Sequence, residues 1–386
     1  MASHDIIVVG AGPIGSTYAC NMAEMGYDVA LFDMKARIGQ PLQCAGLVST
    51  NINTVKDIPS EVILNRIRGA NLYSPDNTSI TVGKDEDVAY VLDRVYYDKY
   101  LFEKAVDAGV TPYISQRVYD VDIENTTVKL EDKTLNSRLI AVACGPTSTT
   151  ANKMNPEITP QSFTAIQYTI NSNNSDTDFV NLKVNKSILP GFIWDIPVTA
   201  NTRRVGLFTN TSYGQAEQVL NSTLSGDESI VEKHVGLIPR YNKKRIIAQN
   251  NTILIGDSAG QVKPTTGGGL IVGFNCTQMA STQSHKALEE EDNTYLQDYQ
   301  TQYHQRYDRE FKLQQNVQKI LEELSEDDFN YMFGQLRSNN VDKMISEYGD
   351  MDTQTPLIKQ LVKTGLIFKL APKIGVRRLK NIWKSQ

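Results

Sequence analysis

The sequence predicts an α/β protein: a parallel-stranded layer, an antiparallel sheet inserted into it, and a helical C-terminal region. Three observations predict it. An apolar, β-branched run near the start meets a glycine-rich turn and then a helical stretch, a second strand, glycine turn and helix follow near residue 256, and several strand-like segments lie between them.

Asp5-Ile-Ile-Val-Val9 has the composition of a buried parallel strand. It runs into Gly10-Ala-Gly12-Pro-Ile-Gly15, after which Ser16–Met25 reads as a helix and Asp28-Val-Ala-Leu-Phe32 as a second strand ending at Asp33. In such a G-x-G-x-x-G turn Gly10 permits the tight bend, Gly12 lets the backbone approach a pyrophosphate, and Gly15 lets the helix pack on the strand. The helix N-terminus presents N–H groups to phosphate, and Asp33 is placed for a ribose diol. The motif is Rossmann-like and by itself does not separate FAD from NAD.

The later segments separate them. Val91-Leu-Asp93-Arg94-x3-Asp98 leads into a periodic helix ending at Ala108-Gly109-Val110. Asn251-Thr-Ile-Leu-Ile255 is a strand entering Gly256-Asp257-Ser-Ala259-Gly260, followed by Pro264-Thr-Thr-Gly267-Gly-Gly269-Leu270 and a helix from about Ile271. A second glycine loop before a helix suits the long FAD molecule. Asp257 would take a ribityl hydroxyl, and the N–H groups of Gly268, Gly269 and Leu270 would face the electron-rich edge of the flavin.

The nucleotide domain is expected from 1–66, 95–158 and 250–285. Stretches 67–94 and 159–249 would form the antiparallel substrate sheet, with strands at Phe163–Ile170, Phe179–Val184, Phe192–Pro197 and Arg204–Phe208. Residues 286–386 form the helical C-terminal region.

Hydrophobic residues make up 40% and charged residues 22% of the 386, which excludes a largely disordered chain. Cys20, Cys44, Cys144 and Cys276 are scattered, which excludes a disulfide scaffold and suits a reducing cytoplasm. Cys20, Cys276 and Cys144 read as space-filling. Four histidines without ligand spacing predict no metal. No apolar run is long enough to span a bilayer, and Ile6–Val9 meets glycine too soon for a secretory signal.

The net charge of −5 hides an asymmetry, because no acidic residue follows Asp352 while eight cations do, leaving −13 for the rest. An acidic body excludes a nucleic-acid binder. Leu357–Trp383 places Leu361, Leu366, Ile367, Leu370, Ile374, Leu379 and Trp383 at helical intervals among those cations. Such a tail suits either peripheral docking on the inner face of the cell membrane or packing on the body.

The order GAGPIG, LDR, GDSAG and TTGGG resembles the flavoproteins of the para-hydroxybenzoate-hydroxylase fold, and among them the geranylgeranyl reductase family, including the archaeal digeranylgeranylglycerophospholipid reductases. Arg37-Ile-Gly39-Gln-Pro41-Leu-Gln-Cys44-Ala-Gly46-Leu is similar to the family's cysteine loop beside the flavin, though it lacks the usual Glu. Leu189-Pro-Gly-Phe192-Ile-Trp194-Asp-Ile196-Pro197 resembles the P-x-x-Y-x-W-x-F-P signature, keeping Trp194 and Pro197.

The resemblance implies FAD contacts at Ile14, Gly15, Asp33, Cys44, Ala45, Leu47, Arg94, Val118, Asp257, Gly269 and Leu270. Phe192, Trp194 and Ile196 would wall the pocket for an isoprenoid chain, and Cys44 would assist protonation. The implied activity is FAD-dependent reduction of C=C bonds in geranylgeranyl chains, with electrons from ferredoxin, a quinol or NAD(P)H. Two alternatives stay open: a monooxygenase or halogenase of the same fold, for which Lys84 is the nearest catalytic lysine, and a non-catalytic lipid-binding flavoprotein.

Overall fold

The structure, a computed structural model, describes residues 3–172, 176–225 and 228–366. Its base is a layer of five parallel strands in the spatial order Thr252–Leu254, Thr134–Val142, His4–Val9, Val29–Asp33 and Thr111–Ile114. Ile6, Ile7, Val8, Ala30 and Leu31 are fully buried, as strands covered on both faces must be. The helices Pro13–Glu24 and Leu270–Glu289 pack together on this layer, joined by the Tyr18 hydroxyl donating to Ser284 Oγ at 2.7 Å.

A seven-stranded sheet forms the roof, in the order Ser229–Pro239, Ser162–Asn171, Thr202–Thr209, Ile193–Thr199, Phe179–Lys183, Gly69–Tyr73 and Ser79–Gly83. It is antiparallel except where Phe179–Lys183 runs parallel to Gly69–Tyr73. Ile166, Tyr168, Ile193, Val205 and Leu207 bury its outer face under the helix Tyr213–Asn221, whose start is fixed by a capping box between Ser212 and Gln215. A short sheet of Leu47–Ser49, Ala89–Leu92 and Ile63–Ile67 lies between the two layers in the chain.

The C-terminal region opens with Thr294–Glu323, a helix of 30 residues, followed by Glu326–Ser338, Val341–Tyr348 and Thr355–Lys363. These bury Leu313, Phe333, Leu336, Val341 and Leu361 against Ile80 at the far edge of the roof. Leu357, Ile358, Val362 and Leu366 join the same cluster. The apolar face of the basic end, over residues 357–366, is therefore turned onto the body. Residues 367–386, which hold most of that tail, lie outside the described residues. Among the described residues no helix is long and apolar enough to cross a membrane.

Candidate functional site

A cavity of about 670 Å³ runs between the parallel layer and the roof. Its floor begins where His4–Val9 ends. Gly10 sits at φ +108°, and a Cβ there would lie 2.4 Å from the Ala143 carbonyl oxygen. Gly15 is closed in the same way, its would-be Cβ 1.9 Å from the Gly10 oxygen. It therefore packs helix on strand and does not line the cavity, unlike Gly10, Gly12 and Ile14. Gly12 is the opposite case: no protein atom lies within 4 Å of where its Cβ would be. No side chain caps the helix that starts there. The turn is thus an open cradle of backbone, shaped for an anion.

Asp33 closes this end. Its carboxylate oxygens accept from Ala11 N and Lys35 N, both at 2.8 Å, which aims the group while leaving lone pairs for a diol. Val118 lines the same end.

At the other end, Asp257 faces Gly269, which precedes the helix Leu270–Glu289 with no side-chain cap. Burial pushes the Asp257 carboxyl up to about 6, against the pull of Arg94. Arg94 follows Asp93, whose carboxylate caps the helix Arg94–Asp107 by accepting from Tyr96 N at 3.0 Å. The Arg94 guanidinium is buried and grips Asp98 with two bonds, at 3.0 and 3.2 Å. Burial works against its charge, but Asp98 and Cys44 outweigh burial and hold it protonated. Cys44, with Ala45 and Leu47, lines the cavity beside this pair. The Gly46 amide points at Cys44 Sγ at 3.4 Å, and buried Arg204 reaches the Ala45 and Leu92 carbonyls at 2.9 and 3.1 Å. Two guanidinium groups therefore flank the thiol.

The roof presents one cross-strand row, His234, Gln167, Gly206 and Trp194. Gly206 has no Cβ because the Trp194 indole lies where one would be, 2.6 Å from Cζ2. Trp194 Nε1 then donates to Gln167 Oε1 at 3.0 Å, fixing the indole plane. Phe192 and Ile196 flank Trp194 on the cavity face, and Phe192 meets it edge-on at 6.3 Å. Burial keeps His234 biased to its neutral form.

Several lining groups carry no sequence-level expectation. Lys263, buried, donates to Asp352 Oδ1 at 2.6 Å and to the Met351 carbonyl at 2.9 Å. Asp352 also accepts from Ser49 Oγ at 2.5 Å and Asn51 Nδ2 at 2.9 Å. Burial alone would raise its carboxyl, but Lys263, Ser49 and Asn51 outweigh it and hold it below the usual carboxylate range. The loop after the helix Val341–Tyr348 is thereby pinned so that Met351 enters the cavity wall. Cys144, read as space-filling, is exposed and lines the cavity near Ser258, because an outward turn at Gly145 follows it. Cys20 and Cys276 are buried. Among the described residues the lining lysines are Lys35 and Lys263; Lys84 is not one of them, and no cluster suited to a metal ion is present.

Comparison with known proteins gives four findings. The family described as Lycopene cyclase protein matches residues 5–338. Digeranylgeranylglycerophospholipid reductase 2 of Methanopyrus kandleri is 30% identical over 371 residues, 88% of this chain and 92% of that one. Among solved structures, a geranylgeranyl bacteriochlorophyll reductase-like protein of Thermoplasma acidophilum superposes with a TM-score of 0.86 at 21% identity, covering 99% of this chain and 100% of that one. The flavin-dependent halogenase CmlS superposes at 0.65 with 18% identity over 84% and 67%. At such identities the structural likenesses establish the fold.

Proposed function

This chain belongs to the lycopene cyclase protein family and to the digeranylgeranylglycerophospholipid reductases, and from that membership we propose that it uses FAD to saturate C=C bonds in the geranylgeranyl chains of archaeal-type membrane lipids. One observation carries the reading. A single cavity joins a backbone cradle at Gly12 to an aromatic and aliphatic chamber under the roof, so a dinucleotide and an apolar chain can meet inside it. Lys84, the lysine nearest to what the halogenase reading needs, does not line the cavity.

The residues fit FAD. Gly10–Ile14 and the helix after Gly12 would hold the pyrophosphate, Asp33 the ribose, Asp257 the ribityl chain, and Gly268–Leu270 the ring edge. Reduced FAD, when bound, supplies a hydride equivalent to one alkene carbon. Phe192, Trp194, Ile196 and Leu47 exclude water and orient the alkene, which has no carbonyl to be polarised and so depends on placement. Cys44 Sγ–H delivers the proton to the second carbon. The thiolate left behind is held by Arg94 and Arg204 until solvent returns a proton. Electrons enter from an external donor: ferredoxin, a quinol or NAD(P)H.

Two results are expected. Cys44→Ser should keep FAD affinity and lose about 100-fold or more in single-turnover lipid reduction; full turnover would remove the thiol from the mechanism. A ribityl hydroxyl donating to Asp257 favours its ionised form, so binding lowers a pKa that stands at about 6 in the free protein. FAD affinity, followed by quenching of flavin fluorescence, should therefore rise from about pH 5 to about pH 7. Asp257→Asn should flatten the profile, and a flat wild-type profile would contradict the contact. The reading itself is tested by mass analysis of geranylgeranyl phospholipid after incubation with the chemically reduced protein: two hydrogens gained per double bond support it, and unchanged lipid refutes it.

A further inference from the structure

We infer that the outer face of the edge strand Ser229–Pro239, with the basic loop that follows it, is a docking surface for an anionic phospholipid bilayer. Among the described residues the strand has a strand partner on one side only, Ser162–Asn171. Lys233, Val235 and Leu237 point outward at the alternate spacing of a strand, with Val231 beyond them at the bulge. Val231, Val235 and Leu237 are 55%, 47% and 43% exposed, because the helix Tyr213–Asn221 covers the neighbouring strands and stops short of this one. A row of aliphatic side chains in water is costly unless something covers it.

Charge and position select what covers it. Residues 229–246 hold Lys233, Arg240, Lys243 and Lys244 against one acid, Glu232, while Arg245 turns inward to the Ser258 carbonyl. Lys243 and Lys233 lean on Asp308 and Glu217, at 3.4 and 3.5 Å, in exposed pairs that salt weakens. With those acids counted the patch still carries +1, in a chain whose net charge is −5. Ile246, 41% exposed, sits at the end of the same loop. Aliphatic side chains bordered by lysine and arginine match the boundary between acyl chains and anionic headgroups. A second copy of this chain would set the same positive excess against itself. The opposite face of the same strand borders the cavity through His234. The surface takes its purpose from the lipid-reductase reading, but its binding is measured separately.

The test uses the full chain, so the basic tail is present throughout. Flotation with phosphatidylglycerol vesicles and with phosphatidylcholine vesicles should show at least about tenfold preference for the anionic ones, lost in about 1 M salt. Val231→Asp with Lys244→Glu should lower vesicle partition about tenfold or more at an unchanged unfolding midpoint, and Lys244→Glu alone should lower it in part. Neither residue lines the cavity. The double variant should therefore reduce detergent-dispersed lipid as the wild type does and fail only on vesicle-embedded lipid. Wild-type partition by the double variant would assign binding to the tail and overturn the inference. A concentration-dependent dimer abolished by Val231→Asp would overturn it in favour of a second copy. If detergent-dispersed lipid is not reduced at all, the reductase reading fails while flotation still judges the surface.

Discussion

Gly12→Val should leave the protein folded and empty of flavin, whereas Gly15→Val should leave it unfolded. The two glycines are three residues apart in one turn, but their surroundings differ. Gly12 lies at φ −70° with no protein atom within 4 Å of its would-be Cβ, so an added side chain costs the free protein almost nothing. That space is where a pyrophosphate must approach the backbone, and filling it should weaken FAD binding by about 100-fold or more, near 2.7 kcal/mol. A Cβ at Gly15 would lie 1.9 Å from a backbone oxygen, which cannot give without parting helix from strand. Unfolding midpoints of the flavin-free variants and titration with FAD check both statements. A stable Gly12→Val protein that still held FAD tightly would mean that the cradle binds something else.

Breaking the Lys263–Asp352 pair should have the second large effect. Both side chains are nearly buried, and a buried ion left without its partner costs about 3–5 kcal/mol. Asp352→Ala is expected to destabilise by about that amount and to withdraw Met351 from the cavity wall, raising KM for the lipid more than it lowers kcat. Lys263→Met with Asp352→Leu should recover part of the stability, since two apolar groups replace two charges. The sign with pH follows from a carboxyl held below the usual range. Its contribution is present above about pH 4 and is lost as pH falls further, so Asp352→Ala should narrow its gap to the wild type in strong acid. Equal stability of variant and wild type at neutral pH would show that the pair holds nothing in place.

The part of this site that was legible in the sequence is local. Gly10, Gly12, Asp33, Asp257 and Gly269 owe their places to strand–turn–helix units in which residue type, spacing and backbone conformation coincide. The alternation Phe192, Trp194, Ile196 could be read for the same reason, since a strand turns every second side chain to one face. What stayed hidden depends on pairs distant in the chain. Asp352 meets Ser49 across 303 positions, and no periodicity announces that a loop after the helix Val341–Tyr348 returns to the cavity. The row His234, Gln167, Gly206 and Trp194 arises from strand register, which three separate segments set jointly. Gly206 and Lys263 carried faint signals, a glycine inside an apolar strand and a lysine between two glycine turns. Each becomes readable only beside its neighbour. The end of the chain stayed open in the sequence, because an amphipathic basic helix serves equally to cover a body or to meet a membrane; its described part, Thr355–Lys363, covers the body.

The most direct test of the central claim is anaerobic stopped-flow. The flavin-loaded protein is reduced chemically, mixed with digeranylgeranylglyceryl phospholipid in detergent, and the flavin absorbance is followed without oxygen. Reoxidation in step with lipid saturation is the expected result. A flavin that stays reduced until oxygen is admitted would contradict the account and move the oxygen-using enzymes of this fold ahead of it.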